Sequence, residues 1–112
     1  AAGGGFFRDG EYIPLFKVTP IYPRRAQERG IQGYSIVAFT ITETGTVEDV
    51  VPLEGFCGDP TDPATEYRKC SIFNSAASRA ALKLKYKPKI VDGNAVKVYD
   101  VPHKFTFILE DL

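Results

Sequence analysis

One histidine, two cysteines and no excess of either charge leave this 112-residue chain with little of what active sites are usually built from. His103 alone, even with Cys57 and Cys70, cannot complete a four-ligand zinc site, and the cysteine spacing is not CxxC. As a general base the same histidine needs an orienting partner that the sequence does not supply. Fourteen basic against fourteen acidic side chains create no global field to recruit nucleic acid or an anionic membrane. GxSxG, HExxH, Walker and GxGxxG patterns are all missing. No apolar run reaches the roughly 20 residues of a membrane-spanning helix. These absences exclude most enzymatic classes, so no catalytic residue, metal or cofactor is expected, and nucleic acid is not an expected partner.

What is present suits a folded domain. Apolar residues are 44% and charged residues 25%, ordinary for a soluble globular chain of this size. The expected division is a linker stub at 1–10, where "AAGGGFF" stands, and one domain over 11–112, with the natural protein expected to be longer. A Cys57–Cys70 bond would close a loop of about 14 residues and remove roughly 3 kcal/mol of unfolded-state entropy. Such a bond requires a periplasmic or extracellular setting. Two free thiols are the competing arrangement.

Along the chain, "EYIPLF", broken by Pro14, reads as an edge strand or extended arm. "YPRRAQERG" places Pro23 at a helix start and Gly30 at a left-handed stop, giving a short helix over Arg24–Arg29. "GYSIVAFTITETGTVEDVVPLEG" alternates with period two around a "TETGT" turn, a hairpin whose first strand directs Val37, Phe39 and Ile41 to the core. Tyr34, Ile36, Ala38 and Thr40 take its other face. Gly55–Ser71 reads as a loop in which Asp59, Asp62 and Glu66 lack the spacing of a calcium site. "SIFNSAASRAALKLKY" changes to helical spacing, with Phe73, Ala76, Ala77, Ala80 and Leu84 in one stripe, Ser71 as N-cap, and Pro88 beyond the end. After a turn at Asp92-Gly93, "AVKVYDVPHKFTFIL" is a last strand, with His103 in phase with Phe105 at the end of the core face. The sum is an α+β fold, two helices on one face of a three-stranded antiparallel sheet.

So few strands cannot close into a barrel, and at least one edge must present unpaired N–H and C=O groups. Pro102, Lys97 and Lys104 mark the last strand as a guarded edge, fit for adding a partner strand unless the "EYIPLF" arm covers it. A second copy of the chain is the alternative occupant, which would make a homodimer through a structural, self-assembling role.

In this order, Tyr22-Pro23, Ala26, Gly30 and Gly33, then the hairpin, then Tyr86-Lys87-Pro88 and the closing strand resemble the TonB C-terminal family. The match runs from Lys17 to Leu109. The resemblance implies a periplasmic domain of a protein anchored in the inner membrane. It also implies contact with ExbB and ExbD through an N-terminal region, and capture of the TonB box of outer-membrane receptors beside the last strand to drive siderophore or cobalamin uptake. The residues it assigns to the partner are Val101, His103, Lys104, Phe105, Thr106, Phe107 and Ile108 on the strand, flanked by Thr19, Pro20, Tyr22, Arg24 and Arg25. Arg25 would face a receptor acid. Thr19-Pro20 stands where some relatives have glutamine-proline, and the cysteine-bearing loop is longer than the family expectation.

Overall fold

The computed structural model describes residues 12–111, so the expected stub at 1–10 lies outside the described residues. Pro23 precedes helix α1 (Arg24–Glu28), and Gly30, at φ 67°, turns the chain out of it in the left-handed region where glycine carries no Cβ penalty. The chain then alternates into β1 (Gly33–Ile41), turns through Gly45 and returns as β2 (Val47–Cys57). Val37, Phe39 and Ile41 are buried as the alternation predicts. Ala38 and Thr40 on the opposite face are buried too.

Four strands, not three, make the main antiparallel sheet, in the order Arg68–Lys69 (β3), β2, β1, Val98–Phe107 (β6). The additional strand, β3 (Arg68–Lys69), falls in the segment read as loop and pairs with Phe56 and Cys57. Two residues have no periodicity to detect, and it is the Cys57–Cys70 disulfide that brings them to the sheet. The thiols are thus bonded. The expected last strand is also divided. Lys89–Val91 and Asn94–Val96 form a separate hairpin, β4 and β5, across the predicted Asp92-Gly93 turn, where both residues have positive φ. Strand β6 (Val98–Phe107) starts two residues later.

Helix α2 (Asn74–Ala81) lies on β1 and β2, with Phe73, Ala76, Ala77, Ala80 and Leu84 all buried. Small alanines bring its backbone close to the sheet, and the fully buried rings of Phe39, Phe73 and Phe107 each contribute roughly 1.5–3 kcal/mol. Two expectations change here. Ser71 does not cap the helix with its side chain; Phe73 precedes the first helical residue, and Ser71 offers its carbonyl to Asn74 N–H at 3.1 Å. The helix also stops at Ala81, well before Pro88. From there burial alternates, Leu84 and Tyr86 inward and Lys83, Lys85 and Lys87 outward. Extended bonds hold that segment, Leu15 N–H to Lys85 O and Tyr86 N–H to Gly45 O, each 2.8 Å. Ala26 carries α1 into the same core.

Candidate functional site

Strand β6 is an outer strand of the sheet, paired through Gly33↔Phe107, Ser35↔Phe105, Val37↔His103 and Ala38↔Pro102 to β1. Its other side pairs with no strand among the described residues. Pro102 has no amide hydrogen, so the ladder loses nothing if residue 102 directs its main-chain groups away from β1. Period two then sends the N–H and C=O of Lys104 and Thr106 outward as well. In that phase Val101, Phe105 and Phe107 face β1 with their main chains and the core with their side chains, all three being buried.

The arm does not close this edge. Residues 12–20 contain no strand; they are tied down by the Leu15–Lys85 bond and stand opposite β6 across a groove of about 670 Å³. Ile13, Pro14, Phe16, Lys17, Val18, Thr19 and Pro20 form one wall, His103 to Thr106 the other, and Leu84 the floor. Ile13 and Phe16 are 72% and 52% exposed, apolar surface that is available without rearranging the core. Lys17 and Lys104 add positive charge. The Lys104 ammonium also sits 4.2 Å from the centre of the Tyr34 ring, a cation–π contact worth about 0.5–1 kcal/mol at an exposed site. Tyr34 itself packs on Phe56 and Tyr67, and burial, with lesser effects of Glu54 and Tyr67, pushes its phenol up. His103 is half-buried with its ring 4.7 Å from that of Phe105, in phase with it but midway along the face, between the buried Val101 and Phe105, and not at its end as expected.

Of the residues the sequence nominated, the groove gathers Thr19, Pro20, His103, Lys104, Phe105 and Thr106. The rest lie elsewhere. Tyr22 packs edge-on against the stacked rings of Phe73 and Phe107, its hydroxyl donates to Ile31 O, and burial raises its pKa; it builds the junction between arm, helix and strand. Arg24 pairs with Glu28 at 3.3 Å on the exposed face of α1, and Arg25 is exposed on the same helix. Val101 and Phe107 are core residues, and Ile108 follows the strand, half-buried. Sequence reading missed Ile13, Pro14, Phe16, Lys17, Val18 and Leu84. For Ile13, Pro14 and Phe16 the one signal was the Pro14-broken apolar run, which reads equally well as a cover for the edge and as a wall facing it; Leu84 was read as core alone.

At the far end of the sheet, Asp59 in the disulfide-closed insert accepts from the amide and hydroxyl of Thr61, at 2.9 and 2.6 Å. Those bonds hold its carboxyl below the usual aspartate range. Asp62 accepts from Ala64 N–H in the same way, so both carboxylates serve the turns of the loop.

Residues 18–55 match the family model for the Gram-negative bacterial TonB protein C-terminal. The chain is similar to protein TonB of Pseudomonas aeruginosa, 32% identical over 92 residues, which are 82% of this chain and 23% of that protein. It thus spans less than a quarter of the length of the curated relative it matches. The solution NMR structure of the Pseudomonas aeruginosa TonB CTD superposes with a TM-score of 0.61 at 31% identity, covering 93% of this chain and 92% of that one. This chain belongs to the TonB C-terminal domain family. A second TonB-type structure, the tonb2 protein from Vibrio anguillarum, is also 31% identical, with a TM-score of 0.54 over 87% of this chain and 80% of its own. The α+β architecture expected from the resemblance is therefore that of the family.

Proposed function

We propose that residues 11–112 form the receptor-binding domain of a TonB-like energy transducer, a non-enzymatic module that takes up a short extended segment along the outer edge of β6. The observation that carries this reading is an unpaired, proline-marked strand edge facing an open groove. Pro102 offers a carbonyl, and Lys104 and Thr106 each an N–H and a carbonyl, so a partner strand gains about four or five hydrogen bonds at about 1 kcal/mol net each. Apolar groove walls add to this, and association costs at least about 4 kcal/mol. Binding of an isolated peptide is therefore weak, roughly micromolar to millimolar.

In this reading the partner segment is the TonB box of an outer-membrane receptor, with an acid drawn to Lys17 or Lys104 of the groove, or to Arg25 on α1. Pull transmitted through the domain serves siderophore or cobalamin uptake. ExbB and ExbD engage an inner-membrane-anchored region of a longer protein, as this reading has it; no helix among the described residues is long and apolar enough to cross a membrane. The Cys57–Cys70 bond suits the oxidising periplasm.

The test is fluorescence anisotropy with a short labelled peptide of TonB-box type, its scrambled control, and the Thr106→Pro domain. Saturable binding of the first peptide alone, lost in the folded proline variant, is the expected outcome. Mass that rises with concentration in sedimentation, with no response to either peptide, would instead put a second copy on the edge.

A further inference from the structure

β1 joins the main sheet at Gly33, with Phe107 on one side and Cys57 on the other. One residue earlier stands Gln32, whose carbonyl accepts the N–H of Gly58 at 2.9 Å. Its side chain works in the other direction: Oε1 accepts the N–H of Leu109 at 2.8 Å, and Nε2 donates to Asp59 Oδ1 at 3.2 Å. The edge strand and the disulfide-closed insert are thereby joined through one side-chain amide.

The chemistry selects glutamine. An ionised carboxylate only accepts and a backbone N–H only donates, so the group between them must do both, and Asp59 fixes which end of the amide turns to Leu109. Asp59 is itself held by Thr61 and, through its carbonyl, by the Thr65 hydroxyl at 2.6 Å. Leu109 stands two residues past Phe107, the last residue of β6, and opens a 3-10 turn over Leu109–Asp111. Where β1 has already ended, the Gln32 side chain stands in for a strand acceptor. Holding the first residue of that turn fixes where the chain leaves β6 through Ile108, next to the outward groups of Thr106.

We propose that Gln32, oriented by Asp59 of the insert, adds a last rung to the β6 ladder and so positions the C-terminal end of the edge that receives a partner strand. This rests on the strand-addition reading above. Gln32 is a positioning residue: it touches β6, not the partner.

Two readouts on the whole domain test it, amide exchange at Leu109 and affinity for the same labelled peptide. Gln32→Ala should expose the Leu109 amide and weaken the peptide about fivefold, the equivalent of one net hydrogen bond. Gln32→Glu retains the acceptor for Leu109 but sets a carboxylate against Asp59, and should lose a similar factor without a cavity. Adding Asp59→Asn to Gln32→Glu restores a donor opposite an acceptor and should recover both readouts, a rescue that a merely structural loss would not show. Peptide binding unchanged in Gln32→Ala, or no rescue by the double variant, would overturn the proposal. A wild-type domain that binds no peptide would instead overturn the strand-addition reading and this role with it, and is recognised because no variant then alters affinity.

Discussion

The sheet has two sides on which a strand could be added, and they have been treated differently. On β6 the register to β1 is unbroken from Pro102 to Phe107, and the facing arm stands off across a groove. On β2 the ladder shifts twice, near Leu53 and near Asp49, Pro52 interrupts it, and the Cys57–Cys70 insert lays β3 over its end. Bulges, proline and a covering segment are the devices by which natural sheets suppress unwanted pairing. One edge is therefore closed by covalent and local means while the other carries Pro102, its lysines and a single register shift near Asp100, outside the Pro102–Phe107 run. An open edge in a folded protein is informative when the opposite edge of the same sheet has been blocked.

The largest expected effect lies on the closed side. A Cβ at Gly55 would stand 2.3 Å from Cys70 O and 2.5 Å from Asn74 Oδ1. Neither backbone nor the first residue of α2 can yield that far, so Gly55→Ala should cost about 3 kcal/mol or more, read as a drop in the denaturation midpoint. Reduction of the disulfide follows, with a loss of about 3 kcal/mol from the loop it closes. Amide exchange should then show the change concentrated in β3 and the end of β2, with Pro102–Phe107 little affected. Comparable exposure along β6 would erase the distinction between the edges. Thr106→Pro attacks the open side: fold stability should stay within about 1 kcal/mol, as the outward phase tolerates proline, while peptide affinity falls at least about tenfold, or 1.4 kcal/mol.

Smaller effects sharpen the picture of how each edge is bent. Asp49 and Asp100 have φ 55° in β2 and β6, where the registers to β1 shift on either side of Phe39–Ile41. Replacing either by glycine removes the penalty of a side chain in the left-handed region and should stabilise by about 0.5 kcal/mol after the entropy of the unfolded glycine is counted. Lys97, between the small hairpin and β6, hydrogen-bonds Glu48 at 2.7 Å, and that bond and its charge raise the lysine pKa. A raised lysine stabilises the fold fully below its unfolded value, and the contribution is lost as pH rises through the folded one. Stability of the wild type should thus fall slightly on titration above the usual lysine range, and Lys97→Gln should lack that limb.

Much of this fold was legible because period and punctuation agreed. The alternation of Val37, Phe39 and Ile41, the alanine stripe before Leu84, and the Gly30, Asp92 and Gly93 stops each have one local cause and one structural result. What was hidden depended on contacts distant in sequence. β3 exists through a disulfide, the end of α2 is set by bonds from Leu15 and Gly45, and the division of the last strand follows from the β4–β5 hairpin. The candidate site was half visible for the same reason. His103 to Thr106 announce an edge by alternation and Pro102, but the groove's opposite wall is an irregular arm with no period. Tyr22 illustrates the converse: a motif residue that draws attention to a binding role is placed edge-on against the stacked pair Phe73 and Phe107 to hold the junction.

The central claim is that the partner adds to β6 and not to β2, and an NMR titration of the oxidised, isotope-labelled domain with the unlabelled peptide tests it directly. The account predicts shifts along residues 102–108 and the arm at 13–20, with the scrambled peptide silent. Shifts centred on Val47–Glu54, with β6 unchanged, would contradict it.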